Sequence, residues 1–279
     1  MDILIAILIL GGMGLIFGLV LAAASKLFYV ETDPRLGQLT EALPGANCGG
    51  CGYSGCAAYA QAVLEGKAAI GLCASGGNDS SQAMASIMGV KAEKVARRVA
   101  LVRCSGAKIA DDEGNMGGSK LKGQYEGAMD CLAATKVAGR GPLVCKYGCL
   151  GFGNCTKACK YDAIHIVNNV AVVDKEKCVG CMSCAAACPR KLIVPVDPDH
   201  RTIIACASRA KGAVTVRGCS SGCIGCGLCQ KNCPNGAIKV DRNLATIDYT
   251  KCTSCGICST VCPKHLIYTL PERIANSEL

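Results

Sequence analysis

The residues in this chain able to do chemistry are its cysteines. Cys223, Cys226, Cys229 and Cys233-Pro234 form a C-x2-C-x2-C-x3-C-P run, which recurs at Cys252, Cys255, Cys258 and Cys262-Pro263. Three thiolates in one tight loop suit three irons of a [4Fe-4S] cube, and in tandem runs the fourth cysteine ligates the other run's cluster. The pattern assigns Cys223, Cys226, Cys229 and Cys262 to one cluster, and Cys233, Cys252, Cys255 and Cys258 to its partner. Proline fixes φ where the chain leaves each cluster. Structural zinc uses paired C-x2-C knuckles, and a third cysteine at the same interval is foreign to it.

A second kind of site stands near the N-terminus, where Cys48, Cys51 and Cys56 sit among Gly49, Gly50, Gly52 and Gly55, with Cys73 further on. Glycines let the backbone turn tightly and bring N–H groups near sulfur. Ala57 to Leu64 is expected to be helical with Cys56 at its N-terminus, where the helix dipole favours a thiolate. These four make a single [4Fe-4S] site, with a zinc knuckle as the alternative.

An internal duplication runs from Cys145 onward. Cys145, Cys149, Cys155, Cys159, Cys178, Cys181, Cys184 and Cys188 each recur 74 positions later. Cys159, Cys178, Cys181 and Cys184 form a complete site in the first copy. Its other site departs from the pattern: Phe152 stands where Cys226 stands in the second copy, and Lys160 replaces Pro234. Cys149, Cys155 and Cys188 are secure, Cys145 is the candidate fourth ligand, and a three-iron cluster is the rival. Cys104, Cys131, Cys206 and Cys219 remain. They are enough for a sixth cluster, unligated buried thiols are the alternative, and Cys219 competes with Cys226.

The elements that must position these thiols follow from pattern. Ile3 to Ala24 is 22 residues without a charge, about 33 Å as a helix and enough to cross a bilayer. Lys26 and Arg35 follow it, so the positive-inside rule puts the bulk of the chain in the cytoplasm, as a single-pass protein of the cell (inner) membrane. A cleaved signal is disfavoured because no basic n-region precedes the run. Gly14 and Gly18 form G-x-x-x-G, which permits close approach of another membrane helix. Helices are expected over Ser81 to Met88, capped by Asp79 or Ser80, and over Ala92 to Arg98. Asp111 to Gly123 reads as a loop. Short strands are expected at Ile164 to Val167 with Ala171 to Val173, and at Ile238 to Val240 with Ala245 to Ile247. The fold class is α+β: a transmembrane anchor (1–28), a small iron–sulfur domain (29–78), a helical or linking region (79–138), and two tandem modules of the bacterial two-cluster ferredoxin type (139–205 and 206–279).

Composition narrows the function. With 24 Cys, 34 Gly, 3 Phe and no Trp, small modules folded around metal centres fit better than an aromatic-rich core. Disulfides suit neither the dense C-x2-C spacing nor a reducing cytosol. The formal charge of +9 counts every thiol as neutral. A cluster with four thiolates carries about −2, so five or six would bring the protein near neutrality and remove the support for nucleic-acid binding. No dinucleotide fingerprint, Walker A or hydrolase triad is present, so the chain itself has no catalytic residues. His165, His200 and His265 read as structural or solvated.

An anchor helix, then NCGGCGYSGC with a later cysteine, then tandem ferredoxin-type runs, resembles the family of Rnf complex B subunits over the whole chain. The N-terminal segment alone is similar also to corrinoid iron–sulfur proteins, but no corrinoid domain follows. The family resemblance implies a component of an ion-translocating ferredoxin:NAD oxidoreductase. It would take electrons from reduced ferredoxin and relay them to flavin-bearing and integral-membrane subunits, while Na+ or H+ moves through those partners. At least five [4Fe-4S] clusters are expected, six if the last four cysteines hold one. The alternatives are the iron–sulfur subunit of another membrane enzyme, of hydrogenase or formate dehydrogenase type, and a zinc-binding scaffold.

Overall fold

The apolar N-terminal run folds as one helix, α1 (Asp2–Leu27). The computed structural model describes residues 2–27, 33–92, 94–106, 118–123 and 125–269. At 1.5 Å per residue α1 is about 39 Å long, enough to cross a bilayer. Its segment Leu10–Leu27 has a mean hydropathy of 1.8 and is 0% buried. Leu10, Leu15, Phe17, Leu19 and Leu21 all stand exposed, so the helix is apolar on every side and suited to lipid rather than to water.

Three helices follow: α2 (Pro34–Glu41), α3 (Cys56–Leu64) and α4 (Gly77–Met88). Asp33 caps α2 by accepting from the Arg35 N–H at 2.9 Å, with Pro34 at the first helical position. α4 starts before the expected Ser81, so Asp79 lies inside its first turn. The Ser80 hydroxyl donates instead to the Ala42 carbonyl at 2.7 Å. Leu39, Tyr59, Ala60, Val63 and Met84 form the small core between these helices. The Tyr59 hydroxyl donates to the Ala69 carbonyl (2.9 Å) and accepts from the Leu72 N–H (3.2 Å), fixing the loop that carries Cys73.

The described residues of 92–98 are not helical, contrary to expectation; they lead into β1 (Val99–Val102). On a helix Lys91, Lys94, Arg97 and Arg98 would meet at three- and four-residue intervals, where like charges repel. Of the expected loop 111–123, residues 111–117 lie outside the described residues. Next come α5 (Cys131–Lys136), α6 (Asn154–Lys157), the hairpin β2 (Ile164–Val167) and β3 (Val170–Val173), α7 (Ser183–Ala186) and β4 (Ile193–Val196). β1 pairs antiparallel with β4, Val102 opposite Ile193. The region expected to link therefore contributes a strand to the first copy of the repeat.

The second copy runs β5 (Thr202–Ile204), α8 (Gly212–Gly218), α9 (Leu228–Lys231), the hairpin β6 (Ile238–Asp241) and β7 (Leu244–Ile247), α10 (Ile257–Thr260) and β8 (Ile267–Thr269). β5 pairs with β8, Ile204 opposite Ile267, as β1 pairs with β4. Both hairpins turn on two residues of positive φ, Asn168-Asn169 and Arg242-Asn243, the geometry that matches the twist of paired strands. The expected hairpin strands are present, Ile164–Val167 with the expected bounds and the other three each one residue longer.

The N-terminal unit docks on the first copy through its cysteine loop. A Cβ at Gly50 would collide with the Cys181 carbonyl oxygen, so the two loops touch backbone to backbone. The Ser183 hydroxyl donates to the Cys48 carbonyl at 3.0 Å. Lys160, where the second copy has proline, donates its ammonium to the Ala46 and Asn47 carbonyls, both at 2.9 Å. Gly50→Ala should force these loops apart at a cost of about 1–3 kcal/mol. The expected result is faster amide exchange confined to residues 46–52 and 181–184, with the Tyr59–Met84 core unaffected; unchanged exchange there would contradict the contact.

Candidate metal centres

Each four-residue helix in the two copies starts at the residue before a cysteine: Cys155 in α6, Cys184 in α7, Cys229 in α9 and Cys258 in α10. The residue before each helix is left-handed, and it is Gly153, Met182, Gly227 and Gly256 in turn. This hook sends the preceding loop around one side of a cavity and the helix up the other. Gly180, with φ +70°, lies so near Arg98 that a Cβ would meet its carbonyl oxygen, which leaves no room for a side chain beside Cys181.

Four cavities are lined by four cysteines each. Cys159, Cys178, Cys181 and Cys184 surround about 330 Å³, and Cys223, Cys226, Cys229 and Cys262 about 350 Å³. Both groups are those expected from spacing. A third cavity of about 400 Å³ is lined by Cys131, Cys149, Cys155 and Cys188. A fourth, of about 360 Å³, is lined by Cys104, Cys145, Cys206 and Cys219.

The last two cavities group the cysteines differently from the expectation, with Cys131 and Cys145 exchanged. Phe152 does not leave a gap in the first copy, because it stacks on Tyr125 (ring centroids 5.3 Å apart). Beyond Tyr125 the chain enters α5, capped by Asp130, which accepts from the Ala133 N–H at 2.8 Å. Asn154 donates to Asp130 (2.7 Å) and accepts from the Cys131 N–H (2.7 Å), so Cys131 is delivered to the ring of Cys149, Cys155 and Cys188. Cys145 is held away from that ring. Its N–H donates to the Ser119 hydroxyl (3.1 Å) and its carbonyl accepts from Arg190 (3.2 Å). Cys219 likewise lines a different cavity from Cys226, so the two do not compete.

At the N-terminal site Asn47 accepts from the Cys56 N–H at 2.8 Å, tying the start of the loop to the start of α3. Cys48 lies 3.4 Å from the Ser75 hydroxyl. Burial opposes ionisation of Cys48, but hydrogen bonds from Ser75 and the Gly50 N–H outweigh it and hold the thiol below its usual range. Burial pushes Cys73 up, and the charges of Cys56, Cys48 and Cys51 add to this, which places the four sulfurs in one electrostatic neighbourhood. Burial pushes Cys258 up to about 11, and the charges of Cys229, Cys252 and Cys255 add to this. Asn235, two residues after Cys233, donates to the Thr253 hydroxyl at 2.8 Å, next to Cys252.

Backbone N–H groups point at the sulfurs in matching places in the two copies. Ala163 donates to Cys159 (3.5 Å) and Ala237, 74 positions on, donates to Cys233 (3.3 Å). Ala171 and Gly151 serve Cys149 as Ala245 and Gly225 serve Cys223. Burial pushes Cys155 and Cys229 up to about 11, and Cys184 up to about 12. Rings of bare thiolates are therefore unfavourable here, and metal cations bonded to the sulfurs would relieve that. Among the described residues no three His, Cys, Asp or Glu converge closely enough to hold a single metal ion. A tetrahedral zinc site needs four sulfurs about 2.3 Å from one point; thiols that line a shared cavity without converging on one point fit a multi-iron cluster better.

An Fe-S cluster family model matches residues 43–75, a 4Fe-4S binding domain residues 171–194, and a 4Fe-4S dicluster domain residues 222–266. The chain is 42% identical to the B subunit of the Na(+)-translocating ferredoxin:NAD(+) oxidoreductase complex of Acetobacterium woodii, over 90% of this chain and 73% of that protein. It is 40% identical to the B subunit of the proton-translocating ferredoxin:NAD(+) oxidoreductase complex of Clostridium ljungdahlii, over 86% and 82%. It is 36% identical to the B subunit of the ion-translocating oxidoreductase complex of Methanosarcina acetivorans, over 88% and 90%. Likeness at this level, along most of both chains, shows that the protein belongs to the family of B subunits of ion-translocating oxidoreductase complexes.

Proposed function

We propose that this chain is the membrane-anchored electron-transfer component of an ion-translocating ferredoxin:NAD oxidoreductase, accepting electrons from reduced ferredoxin and passing them to flavin-bearing and membrane-embedded subunits. The observation that carries this reading is that the thiol rings abut in succession instead of scattering over the surface. Gly50 and Ser183 bring the N-terminal ring against the ring of Cys181. Cys184 and Cys155 lie in one core cluster, as do Cys258 and Cys229 in the second copy.

Five [4Fe-4S] clusters are assigned, to Cys48, Cys51, Cys56 and Cys73; to Cys131, Cys149, Cys155 and Cys188; to Cys159, Cys178, Cys181 and Cys184; to Cys223, Cys226, Cys229 and Cys262; and to Cys233, Cys252, Cys255 and Cys258. Each copy of the repeat is thus read as a ferredoxin-like module. Such clusters supply one-electron exchange at low potential. The chain's own part is to hold the sulfurs, donate N–H groups to them and keep water out. α1 serves as the anchor, and Lys26 in its last turn supports a cytoplasmic position for the rest of the chain.

Electron entry belongs at the second copy. Of the 24 cysteines, only Cys226 and Cys255 are exposed, and their counterparts in the first copy are Phe152, stacked on Tyr125, and Cys181, covered by Gly50. Leu228 and Ile257, 40% and 42% exposed, flank the two thiols, with Lys231 and Lys239 exposed nearby. This apolar patch with a basic rim suits a small acidic electron carrier.

The full-length chain isolated without oxygen should hold iron and inorganic sulfide in equal amounts, about four of each per site; a colourless, zinc-loaded protein would refute the reading. Cys131→Ser should abolish one cluster or convert it to a three-iron centre by electron paramagnetic resonance, and an unchanged spectrum would remove Cys131 from the ligand set. Lys231→Glu should raise the KM for reduced ferredoxin several-fold with kcat nearly constant, and should flatten its salt dependence. An unaltered KM would move the docking face elsewhere.

A further inference from the structure

Cys104, Cys145, Cys206 and Cys219, which line one cavity, lie outside the segments that the family models match. Its four cysteines come from four separate stretches of chain, and none belongs to a C-x2-C-x2-C run. Their arrangement nevertheless repeats the internal duplication. Cys145 and Cys219 are the pair 74 positions apart. Cys104 and Cys206 each stand two residues beyond a strand, β1 and β5, whose partners β4 and β8 are themselves 74 positions apart at Ile193 and Ile267. Each copy therefore contributes one cysteine of each kind, in a pseudo-twofold arrangement.

The hydrogen bonds follow the same symmetry. Cys104 accepts from the N–H of Gly106, two residues on (3.4 Å), and from that of Cys149 (3.3 Å). Cys206 accepts from the N–H of Ser208, two residues on (3.4 Å), and from that of Cys223 (3.4 Å). Cys149 and Cys223 belong to the neighbouring rings, so the cavity lies between one ring of each copy. The walls are cross-linked by backbone: Lys120 N–H donates to the Gly218 carbonyl (2.9 Å), and Ser220 N–H to the Gly118 carbonyl (3.0 Å). Arg103 lines the cavity, and Arg190 binds the Cys145 carbonyl beside it. Both are partly buried cations placed where four thiolates would concentrate negative charge. The volume, about 360 Å³, lies within the range of the three neighbouring four-cysteine cavities.

We propose that Cys104, Cys145, Cys206 and Cys219 hold a sixth [4Fe-4S] cluster at the junction of the two copies, making the row of centres continuous from the N-terminal unit to the second copy. The inference rests on the cluster-binding reading above, and its test separates the two. Native mass spectrometry and iron and sulfide analysis of the anaerobic full-length chain should find six clusters. A Cys104→Ser, Cys206→Ser double variant should retain five, losing about four irons and four sulfides per chain. In the wild-type holoprotein these four thiols should resist alkylation together, by peptide mapping, until the clusters are stripped, a result that does not depend on a variant folding. Five clusters in the wild type with these thiols open to alkylation, a zinc ion at this site, or six clusters in the double variant would overturn the sixth site while leaving the other five. A chain without iron at any site would overturn both readings.

Discussion

Burying sulfur without stranding its charge is the constraint on which the rest of this structure depends. Thiols such as Cys155, Cys184 and Cys229 are buried, and burial, with the charges of neighbouring cysteines adding to it, pushes them to about 11 or 12. The chain answers with N–H donors aimed at sulfur from tight turns, and with glycines where turn and neighbour come too close for a side chain. Burying apolar area contributes less than in an ordinary domain of this length. The described sheets are all two-stranded, and the helices that hold cysteines in the two copies are single turns. In the proposed reading the iron–sulfur bonds complete a core that side chains leave open.

Divergence between the two copies is concentrated where the first has something to touch. Lys160 replaces the proline of the second copy and grips the carbonyls of Ala46 and Asn47. Phe152 replaces a cysteine and packs on Tyr125, and the same segment brings Cys131 to the cavity of Cys149, Cys155 and Cys188. The second copy keeps the regular spacing and leaves Cys226 and Cys255 at the surface. One copy is thus adapted for contact within the chain, and the other remains open to solvent. This is the asymmetry expected of a conductor with an internal end and an external one.

What the sequence alone determined is local. Within a C-x2-C-x2-C run the cysteines are so close along the chain that sterics and glycine punctuation settle which sulfurs share a loop. The groupings at Cys159, Cys178, Cys181 and Cys184 and at Cys223, Cys226, Cys229 and Cys262 were therefore legible in the spacing, as were the two hairpins and α1. The run from Ala92 to Arg98 failed as a helix because the pattern argument gave too little weight to repulsion among Lys91, Lys94, Arg97 and Arg98. Only the tertiary structure could decide between Cys131 and Cys145. Sequence proximity favours Cys145, four residues from Cys149, but its backbone is held by Ser119 and Arg190, while Cys131 is carried in by Asn154 and the Tyr125–Phe152 stack. Hydrogen bonds between residues 23 to 45 positions apart made that choice, and no local spacing encodes them.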